Sequence, residues 1–453
     1  IGYFAFTRKA AGEARDRFLA KNIDLTKKDI KYFQTLHSLA FNNLGLKEEN
    51  VMQEGNYKAI GETCGIQIKY ASHETNNFNG IFSSDSEYLS LINLARVKQI
   101  PIEDQFDLNE HLTWITREKI IAIEKEINNY KKIYGLIDFT DMIQRFLKKG
   151  KPPKFKVIFV DEAQDLSLIQ WAMIKKIEED SYDPVLKTEC DVWIAGDDDQ
   201  AIFGWAGADV NSFIKWKARE ILLDQSQRVP SLVQQKALGV INRIYYNRIQ
   251  KNYLPKDIPG NIYQRYKLND IDLTKGDWLI LTRTQALLKP ILPFLKRKGL
   301  YFNTAQGNSI GKTLHEDIQT WNELRQGLAP PDIKRQRLEE LTGEKNFNIN
   351  LSWDIAFKNV ALTQRQYMRA MINNDEDLSK PPRIKVSTIH GAKGGEATNV
   401  VLFLNQTTNT IKGSKKSQAK EEEEFRVWYV GMTRTMENLF LIKCKNKLKE
   451  FKI

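Results

Sequence analysis

Short apolar runs that each end in polar residues recur along this chain. The clearest are KVIFVDEAQD (156–165), DVWIAGDDDQAIFGW (191–205), DWLILTRTQALL (277–288), IKVSTIHGAKG (384–394) and NVVLFL (399–404). Runs of this kind, separated by helical stretches, are typical of parallel strands with helices on both faces. The pattern predicts an α/β protein, and it places polar residues at the carboxyl ends of strands, where ligands bind in such sheets.

Two long segments interrupt this rhythm. Residues 42–132 are mostly helical and polar, with a loop-like stretch at 72–87, and residues 311–381 are helix-rich and run into a linker-like sequence. We interpret both segments as helical insertions. The first lies within an α/β domain at 1–214, and the second lies within another at 215–453.

Charge and composition narrow the classes of partner. The chain has 68 Lys and Arg residues against 57 Asp and Glu residues, a net charge of +11, which favours an anionic partner such as nucleic acid but also fits an ordinary basic protein. Its three cysteines and five histidines show no zinc-site spacing, and so few cysteines suit a cytoplasmic protein. No apolar run approaches the roughly 18–20 residues that span a bilayer, so we expect no membrane partner.

An acid pair follows the first of the long apolar runs. Asp161 and Glu162 come directly after KVIFV. A carboxylate at a strand end can hold Mg²⁺ against nucleotide phosphates, and its neighbour can deprotonate an attacking water. A strand that ends in a solvated aspartate is the simpler alternative, but DEAQD after an apolar strand is a more specific pattern.

The next run ends in three consecutive aspartates and two aromatic residues. Asp197, Asp198 and Asp199 would repel one another unless they are solvated or lie near a cation. Gln200 follows them, and its amide can hydrogen-bond both a phosphate oxygen and a water. Phe203 and Trp205 lie among small residues, which predicts open ring faces for base stacking, with burial in the core as the alternative.

Two further segments carry polar residues of interest. STIHGAKGGEA contains His390, Lys393 and Glu396, and EEEEFRVWYVGMTRT contains Arg434. An arginine that reaches a nucleotide can stabilise the transferring phosphoryl group. The acidic run 421–424 also fits a solvated helix start, where acids suit the helix dipole.

These four segments, in this order, resemble motifs II, III, V and VI of the superfamily 1 DNA helicases of the UvrD/Rep/PcrA type. Five other stretches resemble motif Ia, motif Ib, the D-F-D-D-L segment, motif IV and the Y-R-T-N-A segment of that family. They are, in the same order, FAFTRKAAGEARDRF (4–18), TLHSLA (35–40), LIDFTDMI (136–143), LDQSQRVPSLV (223–233) and the stretch at 280–302. The resemblance implies two RecA-like parallel-sheet domains of the P-loop NTPase fold, with helical insertions named 1B (about 42–132) and 2B (about 311–381).

The resemblance also implies a function and residue roles. The family moves 3′ to 5′ along single-stranded DNA and unwinds 3′-tailed duplexes, driven by ATP and Mg²⁺. Asp161 would bind Mg²⁺, Glu162 would be the catalytic base, Gln200 would sense the γ-phosphate, Arg228 and Arg434 would contact it, and Glu396 would contact the sugar. The residues implied along the DNA track are Phe6, Thr35, His37, Phe203, Trp205, Arg283 and His390.

Several positions depart from the family pattern. Gln227 replaces the tyrosine before the motif IV arginine, which puts stacking on adenine in doubt. Ala206, Gly395 and Phe425 replace an arginine, a leucine and an arginine of motifs III, V and VI. None of these changes removes the acid pair, Gln200 or the two arginines.

The P-loop of the family precedes motif Ia, where this chain begins, so we expect it upstream of Ile1 and expect these residues alone to hydrolyse little ATP. The Gly-Lys-Thr at 311–313 is one residue short of P-loop spacing and follows the acid pair, so we interpret it as a chance match. A non-catalytic module that binds single-stranded nucleic acid is the alternative function. RNA could replace DNA, since stacking platforms accept both.

Overall fold

The computed structural model describes residues 1–22, 24–68, 86–109, 114–185 and 188–453, which fold into two compact units. Unit 1 comprises Ile1–Ile221 and Ile244–Lys251, and unit 2 comprises Leu222–Arg243 and Asn252–Ile453. The sequence places the division at 214/215 and does not foresee that residues 244–251 return to unit 1. Most of the loop-like stretch at 72–87 lies outside the described residues.

In its described residues, unit 1 is built on four short strands. They are β1 (Gly2–Phe4), β2 (Phe33–Gln34), β3 (Val157–Val160) and β4 (Asp191–Ile194). Its helices are α1 (Arg8–Lys21), α2 (Leu36–Asn43), α3 (Glu54–Thr63), α4 (Glu87–Lys98), α5 (Ile102–Asp107), α6 (Arg117–Tyr134), α7 (Phe139–Lys149), α8 (Leu168–Asp180) and α9 (Val210–Ile214). Short 3-10 turns lie at Glu48–Asn50, Ala163–Asp165, Asp198–Gln200 and Gly204–Ala206.

The four strands form one parallel sheet in the order β2-β1-β3-β4. Because all four run the same way, the polar residues that follow β3 and β4 lie at one edge of the sheet, as the hydrophobic pattern predicts. Four aromatic residues, one per strand, are in register across one face. They are Phe33, Tyr3, Phe159 and Trp193.

The first insertion has a hydrophobic core of its own. Helices α3 to α6 bring together apolar side chains such as Ile60, Ile92, Ile120 and Ile123, each at most 3% exposed. The two that lie on α6, Ile120 and Ile123, are three residues apart, which is the spacing of one helix face. The sequence expectation of a largely helical insertion at 42–132 therefore corresponds to a separately packed layer of helices.

Unit 2 begins with a strand pair and continues into a larger sheet. Its strands are β5 (Gln225–Pro230), β6 (Leu254–Lys256), β7 (Asn261–Arg265), β8 (Trp278–Thr282), β9 (Phe302–Thr304), β10 (Gly307–Asn308), β11 (Ile384–Thr388), β12 (Ala397–Phe403) and β13 (Thr435–Ile442). Its helices are α10 (Ser231–Ile241), α11 (Gln285–Leu288), α12 (Ile291–Arg297), α13 (Lys312–Arg325), α14 (Asp332–Thr342), α15 (Trp353–Ala356), α16 (Leu362–Asn373), α17 (Thr408–Ser414) and α18 (Gln418–Met432). Further 3-10 turns lie at Leu268–Asp270 and Lys447–Lys449.

The main sheet of unit 2 has the order β10-β9-β11-β8-β12-β13-β7. All neighbouring strands pair in parallel except β9 and β10, which form a hairpin. Strand β8 lies in the middle and is buried along its whole length, as expected for a strand covered on both faces. Both sheets are thus dominated by parallel pairing, which confirms the predicted α/β class.

The second insertion does not stand apart from its sheet. Trp321, Met368 and Met371 of α13 and α16 are fully buried in the same cluster as Ile280 and Ile384 of the sheet. Gly299 has a φ of +62°, and a Cβ there would lie 2.7 Å from Ala370 of α16. Only glycine tolerates both conditions, so α16 packs directly on the turn after α12.

Candidate functional site

The acid pair lies immediately beyond β3 and is held by neutral donors. The Tyr3 hydroxyl donates to Asp161 Oδ2 at 2.7 Å, and the Glu162 N–H donates to Asp161 Oδ1 at 3.0 Å. Burial, and then the hydrogen bond to Asp161, raise the pKa of Tyr3 well above its usual value, so its phenol remains a donor. Glu162 has a φ of +52°, a left-handed backbone conformation that is uncommon outside glycine and is often found at functional sites.

A chain of hydrogen bonds connects the acid pair to the loop after β4. Gln164, which is 1% exposed, donates its amide to Glu162 Oε2 at 2.5 Å and accepts the Asp197 N–H at 3.1 Å. The Gln200 amide in turn donates to Asp197 Oδ2 at 2.8 Å. A Cβ at Gly196 would lie 2.4 Å from Gln164 Oε1, so glycine is required for this approach. Glu162, Gln164, Asp197 and Gln200 therefore form one connected polar network.

The three consecutive aspartates are neutralised by cations from the returning segment 244–251. Arg248 makes two hydrogen bonds to Asp199, at 2.6 and 2.9 Å. Lys251 pairs with Asp197 at 3.0 Å, with Asp199 at 3.4 Å and also with Asp198. Of the two arrangements that the sequence allows, solvation or a nearby cation, the structure has the cation.

Burial and the nearby cations shift the pKa values of these aspartates in opposite directions. Burial raises the pKa of Asp199, whereas Lys251 and Gln200 outweigh burial at Asp197 and lower its pKa. The carboxylate oxygens of the three residues lie within 4.8 Å of one another, close enough to hold a metal ion. The ammonium of Lys251 contacts all three, so we interpret the cluster as an internal ion network.

Two predicted DNA-contacting aromatics are in the core. Phe203 is 1% exposed and stacks on Phe6, which is 6% exposed, with ring centroids 5.8 Å apart. The expectation of an open ring face is therefore wrong for Phe203, because small sequence neighbours do not determine which residues lie across the fold. Trp205 is 43% exposed and meets the edge of Phe203, so it presents its ring to solvent.

Thr35 and His37 are built into the start of α2. The Thr35 hydroxyl accepts the Ser38 N–H and caps the helix. His37 packs edge-on against Phe139, and burial together with the charge of Arg8 lowers its pKa to about 4, so its imidazole is neutral at pH 7. Phe6, His37, Thr140, Ser167 and Gln170 are among the residues that line a shallow pocket here.

In unit 2, the predicted nucleotide-contacting residues come from distant parts of the sequence and lie together. Arg228 Nη1 is 3.5 Å from Glu396 Oε2, and Arg434 Nη1 lies 3.5 Å from the Gly395 carbonyl. Arg434 is only 1% exposed and donates Nε to the Val430 carbonyl at 3.1 Å. In this conformation its guanidinium is therefore bound internally.

Arg283, a predicted DNA contact, forms an ion pair with Glu424. Its guanidinium lies 2.8–3.0 Å from both carboxylate oxygens, and Gln406 and Trp428 also donate to this carboxylate. Glu422 and Glu424 are about 5% exposed or less, so a solvated helix start does not describe these two acids. His390 is half-buried in the turn after β11.

Sequence reasoning missed Tyr3, Gln164, Arg248 and Lys251. Gln164 could have been noticed, because it occupies the fourth position of the DEAQD pattern. The other three contact their partners across 49 to 158 positions of sequence, and no local pattern indicates such pairs.

Comparisons with known proteins agree with this architecture. The chain matches the UvrD/REP helicase N-terminal domain over residues 1–219 and the UvrD-like helicase C-terminal domain over residues 312–446. In the described residues, no helix has the length and apolar character to cross a membrane.

Individual relatives are DNA helicases. DNA helicase II of Haemophilus influenzae is 28% identical over 291 residues, 60% of this chain and 38% of that protein. The ATP-dependent DNA helicase PcrA of Staphylococcus aureus is 22% identical over 251 residues, 52% of this chain and 32% of that protein. The ATP-dependent DNA helicase Rep of Buchnera aphidicola is 21% identical, covering 98% of this chain and 87% of that protein.

The matched segment thus spans about a third of the first two relatives. The two family matches nevertheless cover most of this chain and fall on its two parallel-sheet units. The chain therefore belongs to the UvrD/Rep/PcrA-type family of DNA helicases.

Proposed function

We propose that this chain forms the motor of an ATP-dependent DNA helicase that moves 3′ to 5′ along single-stranded DNA and unwinds 3′-tailed duplexes. The observation that carries the proposal is the network of Glu162, Gln164, Asp197 and Gln200. It links a candidate general base to a candidate phosphate sensor on the adjacent strand ends. A change at the phosphate can thereby reach the base through three hydrogen bonds.

The acid pair suits magnesium and nucleotide. Each Asp161 oxygen accepts one hydrogen bond from a neutral donor, which leaves lone pairs for a hard cation or its water shell. Asp161 would help to hold Mg²⁺, which when bound supplies positive charge against the phosphates. Glu162, oriented by the Gln164 amide, would accept the proton of the attacking water.

Arg228 and Arg434 are the residues that we propose to contact the γ-phosphate. Arg228 is accessible for this role, with a side chain that is 25% exposed, and Glu396 beside it would contact the nucleotide sugar. Arg434 would have to leave its backbone carbonyl partners before it could reach a phosphate. We therefore propose that the Arg228 side chain is available to nucleotide as it stands, whereas Arg434 must first release these carbonyls.

Single-stranded DNA would be contacted first by Trp205. Its exposed ring can stack on a base, worth about 1–3 kcal/mol, whereas Phe6, Phe203, Thr35 and His37 would support it from the interior. Arg283 and His390 are further proposed DNA contacts, and Glu424 orients Arg283.

Unwinding of duplexes with 3′ or 5′ single-stranded tails by the full-length protein tests this proposal. We expect ATP- and Mg²⁺-dependent unwinding of the 3′-tailed substrate and little of the 5′-tailed one. Preference for the 5′ tail would overturn the polarity. Single-stranded DNA binding without ATP turnover would instead support a non-catalytic binding module.

A further inference from the structure

Tyr3 lies where it can control the orientation of Asp161. Strands β1 and β3 are parallel neighbours, and Tyr3 is in register with Phe159. Asp161 is two residues beyond Phe159, so its side chain emerges on the same face of the sheet as that of Tyr3. A tyrosine is long enough to bridge this offset, and its hydroxyl reaches Asp161 Oδ2 at 2.7 Å.

The Tyr3 ring is itself fixed by aromatic packing. It stacks on Phe33 of β2 at 5.1 Å between ring centroids and 17° between planes. Phe33 in turn contacts Phe18 of α1 at 5.3 Å. Because the ring is held by this packing, the hydroxyl occupies a defined position at the sheet edge rather than following the carboxylate.

The second oxygen of Asp161 is fixed from the other side. The N–H of Glu162 donates to Oδ1 at 3.0 Å, so the carboxylate has one donor on each oxygen. Two donors in fixed positions select one rotamer of the Asp161 side chain, and because both are neutral they do not neutralise its negative charge. An aspartate oriented in this way needs no rearrangement when it meets a cation.

We propose that Tyr3 is a positioning residue that orients the Asp161 carboxylate for the magnesium–nucleotide complex. This inference rests on the function proposed above. The expected consequence of losing the hydroxyl is a weaker site for the cation, not the loss of the fold. Phenylalanine at position 3 would keep the stack on Phe33 and remove only the hydrogen bond.

The test compares Tyr3→Phe with the unsubstituted protein, both in the full-length form used for the unwinding assay. Mn²⁺ binding in the presence of a non-hydrolysable ATP analogue is measured by electron paramagnetic resonance, and the Mg²⁺ dependence of ATP turnover is measured in parallel. Loss of an outer partner of a metal ligand typically weakens binding about 10–100-fold, and we expect about tenfold for Tyr3→Phe, with turnover recovered at saturating Mg²⁺ and an unchanged melting temperature.

Tyr32→Phe is the matched control. Tyr32 directly precedes β2 and packs edge-on against Phe155, so its substitution removes a tyrosine hydroxyl from the same unit while leaving Asp161 untouched. We expect Tyr32→Phe to bind Mn²⁺ with the same affinity as the unsubstituted protein. If Tyr3→Phe does not fold, Phe33→Leu loosens the Tyr3 ring and retains its hydroxyl, and we expect weaker Mn²⁺ binding than in the unsubstituted protein.

Asp161→Asn separates failure of this inference from failure of the proposed function. If Asp161→Asn abolishes Mn²⁺ binding while Tyr3→Phe binds like the unsubstituted protein, Tyr3 does not position the carboxylate and the proposed function stands. If Asp161→Asn binds Mn²⁺ normally, or the unsubstituted protein binds none with nucleotide, the metal role of Asp161 fails and the inference fails with it. Tighter binding by Tyr3→Phe would also overturn it.

Discussion

Two acidic segments follow neighbouring strands of unit 1, and their partners differ in kind. After β4, Asp198 and Asp199 are buried and paired with Lys251 and Arg248. After β3, Asp161 accepts hydrogen bonds from a phenol and a backbone N–H. Cationic partners cancel the charge of a carboxylate, whereas neutral donors only fix its position.

The comparison separates a structural role from a chemical one. A neutralised and buried carboxylate attracts no further cation, so Asp198 and Asp199 serve to fasten residues 244–251 to unit 1. A positioned but uncancelled carboxylate remains attractive to Mg²⁺. Gln164 contacts both segments, through Glu162 and through the backbone of Asp197.

The largest effect is expected when the proton acceptor of the segment after β3 is removed. Glu162→Gln should lower DNA-stimulated ATP turnover about 10²–10⁴-fold, because an amide cannot accept the proton of the attacking water. Thermal stability and single-stranded DNA binding should stay unchanged. Glu179→Gln, at an exposed position of α8, is the control, and normal turnover by Glu162→Gln would remove the catalytic assignment.

Removing a cation from the segment after β4 should act on stability instead. Arg248→Met leaves the buried Asp199 carboxylate only partly neutralised. The two side chains are 1% and 0% exposed, and breaking a pair this deeply buried lowers the free energy of unfolding by about 3–5 kcal/mol. Denaturant unfolding followed by tryptophan fluorescence measures the change. Arg219→Met, at an exposed position, is the control. A midpoint for Arg248→Met equal to that of the control would show that the ion network is not structural.

Part of this arrangement can be predicted from the sequence. The parallel sheets follow from apolar runs that end in polar loops, a local pattern that needs no knowledge of distant residues. The same pattern places Asp161, Glu162 and Gln200 at strand ends. The family resemblance supplies their proposed roles. The matches to the two UvrD-type helicase domains confirm that the chain belongs to that family.

The remainder depends on contacts that are distant in sequence. Tyr3 meets Asp161 across 158 positions and Arg248 meets Asp199 across 49, so neither pair leaves a local pattern. Phe203 is buried because Phe6 lies against it, not because of its own neighbours. The sequence of an amphipathic helix likewise does not specify which surface its apolar face packs against. The insertion at 311–381 therefore shares the core of its sheet, whereas the insertion at 42–132 has its own.

An intermediate effect is expected at the residue that joins the two segments. Gln164→Ala removes the donor to Glu162 and leaves the Asp197 N–H without its acceptor, which should cost about 1–3 kcal/mol of stability. We also expect ATP turnover to fall about tenfold, since an oriented base contributes more than a mobile one. Gln170→Ala, which removes the acceptor of two hydrogen bonds from Ser167, the N-cap of the same helix α8, controls for the loss of a buried glutamine. Equal ATP turnover by Gln164→Ala and Gln170→Ala would show that Gln164 does not couple the two acidic segments.

The smallest effect concerns the pH dependence of the segment after β4. Burial alone would lower the pKa of Lys251, but Asp197, Asp199 and Asp198 outweigh it and raise the pKa above its ordinary value of 10.5. A raised folded-state pKa stabilises the fold fully below the unfolded value, and this contribution is lost as pH rises through the folded one. The difference in melting temperature between the unsubstituted protein and Lys251→Met should therefore be constant up to about pH 10 and narrow above it.

Lys215→Met, at an exposed position of unit 1, gives the background for this alkaline measurement. Tyrosines and other lysines titrate in the same range, but they do so equally in both proteins, so the difference isolates Lys251. A difference that stays constant through pH 11 would mean that folding does not raise the pKa of Lys251. A difference near zero at neutral pH would mean that Arg248 alone neutralises the three aspartates, and the contrast between the two acidic segments would then rest on a single cation.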